Sequence, residues 1–150
     1  MPNPSVWGPP VWKLFHILIE NIKEESFPKL HVELFQLIKR ISSFLPCPEC
    51  SLHATTFLSK VRMEQISCKN DFKSMLYIFH NKVNLRRKKP LFLYTDMEKY
   101  KNQKLIPAYN NFIMVYNTKG NMNLLTDSFQ RQFVLKDFKK WITANLVHFY

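Results

Sequence analysis

The chain has 150 residues, of which 46% are hydrophobic and 15% aromatic, so it can bury the core of one compact domain. Gly8 and Gly120 are its only glycines, which excludes the glycine-rich loops that bind phosphate groups. The net charge of +11 favours an anionic partner, such as a dinucleotide, a nucleic acid or an acidic protein surface, although a basic surface can also serve solubility alone. Because neither a run of about 18 apolar residues nor a signal-peptide pattern occurs, we expect a soluble chain that is not exported by that route.

Four amphipathic helices are predicted before Pro90, because apolar residues recur there at intervals of three and four. The first is expected from about Pro9 to Lys23, since proline suits the first turn of a helix. The second follows the break at Pro28 and ends before Pro46.

The third predicted helix opens at Pro48 and carries Cys50 and His53. Asn70 and Asp71 form a plausible N-cap for the fourth helix, which ends near the basic cluster 86–89. These four helices are complete before the chain changes character.

The remaining sequence mixes several patterns. Residues 95–98 have capping-box spacing and predict a short fifth helix that reaches about Lys104. Residues 112–116 resemble a strand, 118–121 a turn, and 127–147 a final amphipathic helix. The end of the chain is therefore expected to form a hairpin followed by a helix.

The segment Cys47-Pro48-Glu49-Cys50 places two thiols at the start of a helix, where the helix dipole favours the thiolate. This arrangement suits reversible dithiol chemistry. The same spacing also supplies two ligands of a zinc site, so a zinc-stabilised interaction domain stays open. The candidates for its other ligands are Cys68, His53, His80 and His16.

Polar residues interrupt the apolar face of the fourth helix at His80, Asn81 and Asn84. Buried polar groups need hydrogen-bond partners. A planar ligand between the helices would supply them, and Lys88 and Lys89 would attract its phosphates, so an adenine dinucleotide matches the pattern.

Three sequence blocks occur in a fixed order. They are Trp7-Gly8-Pro9-Pro10-Val11-Trp12 followed by His16, then Leu45-Pro46-Cys47-Pro48-Glu49-Cys50 with His53-Ala54, and then His80-Asn81-Lys82-Val83-Asn84. In this order and at these distances, the blocks resemble the Erv/ALR sulfhydryl oxidases, and most closely the compact members found in nucleocytoplasmic large DNA viruses. The resemblance covers about residues 5 to 100.

The resemblance implies an all-α core, in which a four-helix bundle with a short fifth helix binds FAD. It assigns residues 1–106 to a sulfhydryl oxidase domain. Residues 107–150 then form a C-terminal extension of unknown role, expected to pack on the core or to lie in a dimer interface.

The resemblance also implies a thiol oxidase that forms disulfides in protein substrates and passes electrons through the flavin to oxygen, releasing hydrogen peroxide. Cys47 and Cys50 are the catalytic pair, with Cys50 next to the flavin and Cys47 facing the substrate. The residues that match family contacts with FAD are Gly8, Trp12, His16, Cys50, His53, His80, Asn81, Val83, Asn84, Lys89 and Tyr94. No metal is expected at this site.

The cysteine count bears on the partner. Beyond the pair, Cys68 is the only cysteine, so a second pair that could shuttle electrons is missing and the enzyme is expected to oxidise its partner directly. By the resemblance that partner is a thioredoxin-like or other viral dithiol protein, and the role is disulfide formation for virion assembly in the host cell cytoplasm, its viral factories or the virion. A homodimer through the first two helices is also implied.

Another class of protein stays open on the residues alone, namely a basic module that binds nucleic acid. Its phosphate contacts would come from residues 86–89 and from Lys136, Lys139 and Lys140 on the last helix. The sequence contains no recognised groove-reading motif, which disfavours this alternative.

Overall fold

The computed structural model describes residues 3–117 and 125–150, and these are helical apart from loops and one isolated bridge between Ile22 and Phe149. The α-helices are α1 (Pro4–Asn21), α2 (Phe27–Ser43), α3 (Pro48–Ser59), α4 (Lys69–Arg86), α5 (Leu105–Tyr116) and α6 (Leu125–Asn145). Short 3-10 helices cover Glu24–Ser26, Met63–Gln65, Tyr94–Tyr100 and Leu146–His148. The predicted all-α fold is confirmed. None of the helices described here is long and apolar enough to cross a membrane.

Helix α1 lies at the centre of the molecule, because every residue from 14 to 22 is buried. A helix that is apolar on all sides needs partners on all sides. Helices α4 and α5 and the 3-10 helix Tyr94–Tyr100 pack against it, while α2 packs against α3. This arrangement contains the expected four-helix bundle.

Helix α1 begins at Pro4, five residues before the predicted start at Pro9. Asn3 caps it, since its side-chain oxygen accepts a hydrogen bond from the Ser5 N–H at 2.9 Å. Pro9 and Pro10 lie inside the helix, where each removes one main-chain donor without ending it. The prediction was wrong because the cap at Asn3 supplies an earlier start.

Helix α4 also starts earlier than expected, at Lys69 with Cys68 as its N-cap. Asp71 lies in the first turn and accepts hydrogen bonds from the Ser67 N–H and hydroxyl at 3.0 and 2.9 Å. The expected fifth helix is the 3-10 helix Tyr94–Tyr100, preceded by a hydrogen bond from the Leu93 N–H to Asp96 Oδ2 at 3.1 Å.

The strand predicted for residues 112–116 is wrong, because these residues form the second half of α5. Phe112 and Tyr116 are both fully buried and stack at 4.8 Å, as residues four apart on a helix can. A short aromatic and β-branched run does not distinguish strand from helix by itself. The predicted turn at 118–121 lies outside the described residues, and the predicted final helix is confirmed as α6.

The C-terminal helices share the core of the bundle. Tyr116 donates a hydrogen bond from its hydroxyl to the Ile41 carbonyl at 3.0 Å, and Phe138 packs edge-on against Phe112. Arg131, which is buried, donates to the Phe44 carbonyl at 3.3 Å. Helix α6 therefore lies against α2, next to the segment that leads into Cys47.

A buried ion pair joins α1 to α4. Lys73 Nζ lies 2.9 Å from Glu20 Oε1, and both side chains are largely shielded from water. Lys69 Nζ donates to the Glu20 and Ile22 carbonyls, each at 2.8 Å, and so satisfies the end of α1. Burial lowers the pKa of Lys69.

We expect Lys73→Met to lower the free energy of unfolding by about 3 kcal/mol, because it leaves the Glu20 carboxylate buried without its counter-ion. Urea unfolding followed by circular dichroism measures this loss. The control is Lys101→Met, which removes an exposed partner of Glu98 and should cost less than about 1 kcal/mol. Equal losses in the two variants would show that the buried pair has no special role.

Candidate active site

The two cysteines at positions 47 and 50 open α3. Cys47 is its N-cap, and its Sγ accepts a hydrogen bond from the Cys50 N–H at 3.3 Å. The preceding turn is held by Leu45, whose N–H donates to Ser51 Oγ at 2.8 Å. Both cysteines are free thiols; Cys47 is 5% exposed and Cys50 is half-buried. The structure therefore places the predicted catalytic pair at one end of one helix.

The surroundings of Cys50 oppose its ionisation. Burial and then the neighbouring Cys47 raise the pKa of the Cys50 thiol to about 11. The Arg86 guanidinium acts in the opposite direction, as a hydrogen-bond donor and as a positive charge, and so lowers this pKa. Arg86 is thus the cation that favours the Cys50 thiolate.

A cleft begins at Cys50 and runs between α1 and α4. At the Cys50 end it is a narrow cavity of about 40 Å³, with Trp7, Trp12 and Val83 in its walls. Gly8, Trp12 and Val83 also line the adjoining part, which widens to about 230 Å³. Predicted site residues from α1, α3 and α4 therefore meet along one cleft.

The wide end of the cleft is polar and basic. Asn84, Arg87, Lys89 and Lys99 line it. The chain turns sharply after α4, because Lys88 adopts the left-handed conformation with a φ of 57° and the Lys89 N–H donates to the Asn84 carbonyl at 2.9 Å. This turn places Lys89 in the wall of the cleft.

His53 lies on the other side of α4, in an opening of about 260 Å³. Phe79, Val83 and Arg86 line both this opening and the cavity beside Cys50. His53 is therefore a neighbour of the cleft and not part of its wall.

Five aromatic rings form a stacked group at the wide part of the cleft, and four of them lie in its wall. Trp12 lies parallel to His80 at 4.2 Å between centroids, and His80 faces Phe92 at 4.6 Å. His16 stacks on Tyr100 at 4.9 Å, and its Nε2 lies 3.0 Å from His80 Nδ1. Trp12, His16 and His80 thus belong to one aromatic group.

Both histidines of this group are neutral at neutral pH. Burial, and next the nearby His80 and Lys99, lower the pKa of His16 to about 3. Burial and Lys99 lower the pKa of His80 to about 4. The unfolded chain therefore binds more protons than the folded one below the ordinary value of 6.5, and stability is lost as the pH falls from there towards 4.

We expect His80→Gln to flatten the decline in unfolding free energy between pH 7 and pH 5, because one of the two neutral imidazoles is then absent. Urea unfolding at the two pH values measures the difference. His53→Gln is the matched control, since His53 is exposed and should leave the slope as in wild type. A wild-type slope in His80→Gln would contradict the assignment.

Three further predicted contacts, His16, Asn81 and Tyr94, lie outside the wall of the cleft. His16 is fully buried against His80 and Tyr100. Asn81 uses its amide on the Phe92 main chain, donating to its carbonyl at 2.8 Å and accepting from its N–H at 2.7 Å. Asn81 thereby holds the loop that carries Phe92. Tyr94 packs edge-on against Tyr77, and the aromatic residues that line the wide end are Trp12, His80, Phe92 and Tyr100.

Sequence reasoning missed Lys99, Phe92 and Tyr100 as site residues. All three lie after α4, in a loop and a 3-10 helix whose pattern carries no periodic signal. Arg86 was grouped with its basic neighbours as a phosphate-contacting patch, whereas it faces Cys50. Only the packing of α4 on α3 separates its role from theirs.

The zinc alternative required the cysteine pair and two further ligands in one place. Among residues 3–117 and 125–150, no three side chains of histidine, cysteine, aspartate or glutamate converge as a metal site would need. His16 and His80 contact each other inside the aromatic group. The geometry therefore does not support a zinc-stabilised domain.

Comparison with known proteins shows the family of the chain. A model of the Erv1/Alr family matches residues 9–104, which include the cysteine pair and most of the residues that line the cleft. The chain belongs to this family. No solved structure gives a significant match.

Several relatives are similar to the same region. The FAD-linked sulfhydryl oxidase of African swine fever virus, isolate Warthog/Namibia/Wart80/1980, is 30% identical over 64% of this chain and 77% of its own length. Protein 347L of Invertebrate iridescent virus 6 is 28% identical over 59% of this chain and 86% of its own. The FAD-linked sulfhydryl oxidase ERV2 of Saccharomyces cerevisiae is 31% identical over 54% of this chain and 41% of its own length.

Proposed function

We propose that this protein is a FAD-dependent thiol oxidase that forms disulfides in protein substrates through Cys47 and Cys50. The observation that carries the proposal is the position of Cys50, which opens directly into the cleft between α1 and α4. Electrons pass from the cysteine pair through the flavin to oxygen, with release of hydrogen peroxide. This function is the one expected from the family to which the chain belongs.

The residues of the cleft fit a flavin dinucleotide. Trp7 Nε1 and His16 Nδ1 are buried and have no hydrogen-bond partner in the described part of the chain. Aromatic rings suit planar ring systems, and the cations Arg87, Lys89 and Lys99 suit phosphates at the wide end. Because the cavity at Cys50 is narrow, the stacked rings have to separate to admit such a group.

FAD, when bound, supplies the transfer of electrons from the cysteine pair to oxygen. We assign its binding to the predicted residues Gly8, Trp12, His16, Cys50, His53, His80, Val83, Asn84 and Lys89, together with Lys99 and Tyr100. Asn81 acts on the same cleft by holding Phe92, and Tyr94 supports it from the outside.

The cysteine pair carries out the exchange with the substrate. A substrate thiolate attacks Cys47 Sγ of the Cys47–Cys50 disulfide, and Cys50 leaves with the bonding electron pair as a thiolate. The second substrate thiolate then attacks the mixed disulfide and releases Cys47. Since Cys47 is only 5% exposed, the segment around it has to open for this attack.

We further propose that the electron donor is a thioredoxin-like or other dithiol protein of a virus, in the host cell cytoplasm, its viral factories or the virion. The support is the viral origin of two of the relatives, 347L and the oxidase of African swine fever virus, and the lack of a second cysteine pair in the sequence. Residues 1–106 are proposed as the oxidase domain, and 107–150 as an extension on it. The end of the family match at residue 104 supports this division.

The purified protein should be yellow, and dithiothreitol should bleach its flavin band and start oxygen consumption. Cys50→Ser and Cys47→Ser should each reduce oxygen consumption with a protein dithiol by at least about a hundredfold, because the disulfide can no longer form. Absorbance and an oxygen electrode measure both effects. Cys68→Ser, which changes an exposed thiol, is the control with full activity. Wild-type turnover in Cys50→Ser would refute the proposal.

We also propose a homodimer, although not through the predicted surface. The apolar residues of α1 and α2 expected at an interface are buried inside the chain, as Leu14, Leu18 and Leu34 are. Phe129 and Phe133, each 58% exposed and one turn apart on α6, offer another surface.

Light scattering should give the mass of a dimer for wild type and that of a monomer for the double variant Phe129→Ser, Phe133→Ser, because apolar burial drives association. Val147→Ser removes another exposed apolar side chain, 72% exposed, and should stay dimeric. A monomeric wild type would refute the dimer without touching the oxidase proposal.

A further inference from the structure

We propose that Arg86 is a positioning residue for disulfide exchange, which stabilises the thiolate of Cys50 as it leaves, and that the Glu49 carboxylate competes with Cys50 for this guanidinium. The proposal rests on the proposed oxidase function, because it concerns the same cysteine pair. It adds the pair of Glu49, which lies inside the CxxC segment, and Arg86 of α4, and this pair controls the ionisation of Cys50.

The geometry brings three charged or titratable groups to the start of α3. Arg86 is the last residue of α4 and lines the same cavity as Cys50. Its Nη1 lies 3.9 Å from Glu49 Oε1, and His53 Nε2 lies 3.7 Å from the same oxygen. Neither contact is short enough for a hydrogen bond, so Arg86 is held near Glu49 without being fixed to it.

The groups facing Cys50 can be named element by element. Helix α3 contributes Cys47, and α4 contributes Arg86 and Arg87 in the wall of the cavity. Glu49, also on α3, lies outside this wall and is reached through Arg86, and His53 lies next to Glu49. The wall formed by α1 is apolar, with Trp7, Gly8, Val11, Trp12 and Phe15. Burial raises the pKa of Cys50, and Arg86 opposes this rise.

This environment matters at one step of the exchange. When the substrate sulfur bonds to Cys47, the Cys47–Cys50 bond breaks and Cys50 takes both electrons, so a negative charge appears on its sulfur without any proton transfer. A guanidinium beside this sulfur lowers the energy of that charge in a half-buried site. Arg86 then leaves Glu49, whose remaining neighbour is His53.

The contrast in exposure between Glu49 and Arg86 supports a mobile Arg86. The Glu49 side chain is 74% exposed, so water can solvate its charge when Arg86 turns away, whereas Arg86 is 30% exposed and already lies in the cavity wall. Exposed ion pairs contribute little to stability. The exchange of Arg86 between Glu49 and Cys50 therefore costs little.

The test uses the FAD-loaded protein with Cys47→Ser and Cys68→Ser, in which Cys50 is the only cysteine. The rate of alkylation by iodoacetamide is measured by mass spectrometry as a function of pH, which reports the thiolate fraction without enzyme turnover. Arg86→Gln should move the pH profile upward and slow alkylation at pH 8 by about tenfold, while Arg86→Lys should recover most of the rate.

Arg62→Gln is the matched control, because Arg62 pairs with Glu64 in an exposed segment and its removal changes the net charge equally. It should leave the profile of Cys50 unchanged. Glu49→Gln should have the opposite effect on the rate of alkylation, because it frees Arg86 for Cys50. We expect it to speed alkylation severalfold. This acceleration should vanish when Arg86→Gln is also present.

Equal profiles for Arg86→Gln and Arg62→Gln, or slower alkylation in Glu49→Gln, would overturn the proposal. A general structural role for Arg86 would change circular dichroism and the unfolding midpoint without the opposite effect of Glu49→Gln. This test is separate from that of the oxidase proposal. If Arg86→Gln leaves the pH profile of alkylation unchanged while Cys50→Ser is inactive, only the role of Arg86 is refuted.

Discussion

The complete burial of the second half of α1, residues 14–21, is the constraint on which the rest of the structure depends. The polar residues of this half need partners inside the protein, and these partners fix α4 and the segment that follows the 3-10 helix Tyr94–Tyr100. His16 meets His80 of α4, Glu20 meets Lys73 of the same helix, and Asn21 donates to the Gln103 carbonyl at 2.6 Å. The position of α4, and with it the width of the cleft, follows from these contacts.

Two opposing effects act on the charge of the cysteine pair at the start of α3. The start of α3 provides main-chain donors, one of which is used on Cys47 Sγ. Burial in an apolar wall works against the charge on Cys50, and Arg86 reaches the same sulfur from α4. A thiol that is neutral at rest and stabilised as it leaves suits a disulfide that is repeatedly opened and closed.

The C-terminal helices change which surfaces of the bundle are exposed to partner proteins. Helix α5 covers α1, and α6 lies against α2 close to the segment before Cys47. Apolar residues of α1 and α2 are thereby used inside the chain. The aromatic side chains Phe129 and Phe133 stay on the outer face of α6, so surfaces for partners have to be sought on the extension and around α3.

Local patterns in the sequence were sufficient for the helices of the bundle, the cysteine pair at the start of α3 and the family, because each depends on residues close together in the chain. Residues 112–116 were wrongly predicted as a strand, because a short aromatic run has no clear period. They form a helix in which Phe112 and Tyr116 are buried against α1 and α2. The roles of Lys99, Tyr100 and Arg86 were decided by tertiary structure alone. Lys99 and Tyr100 come from a 3-10 helix without a periodic signal, and Arg86 meets Cys50 only because α4 packs against α3, a contact between positions 36 residues apart.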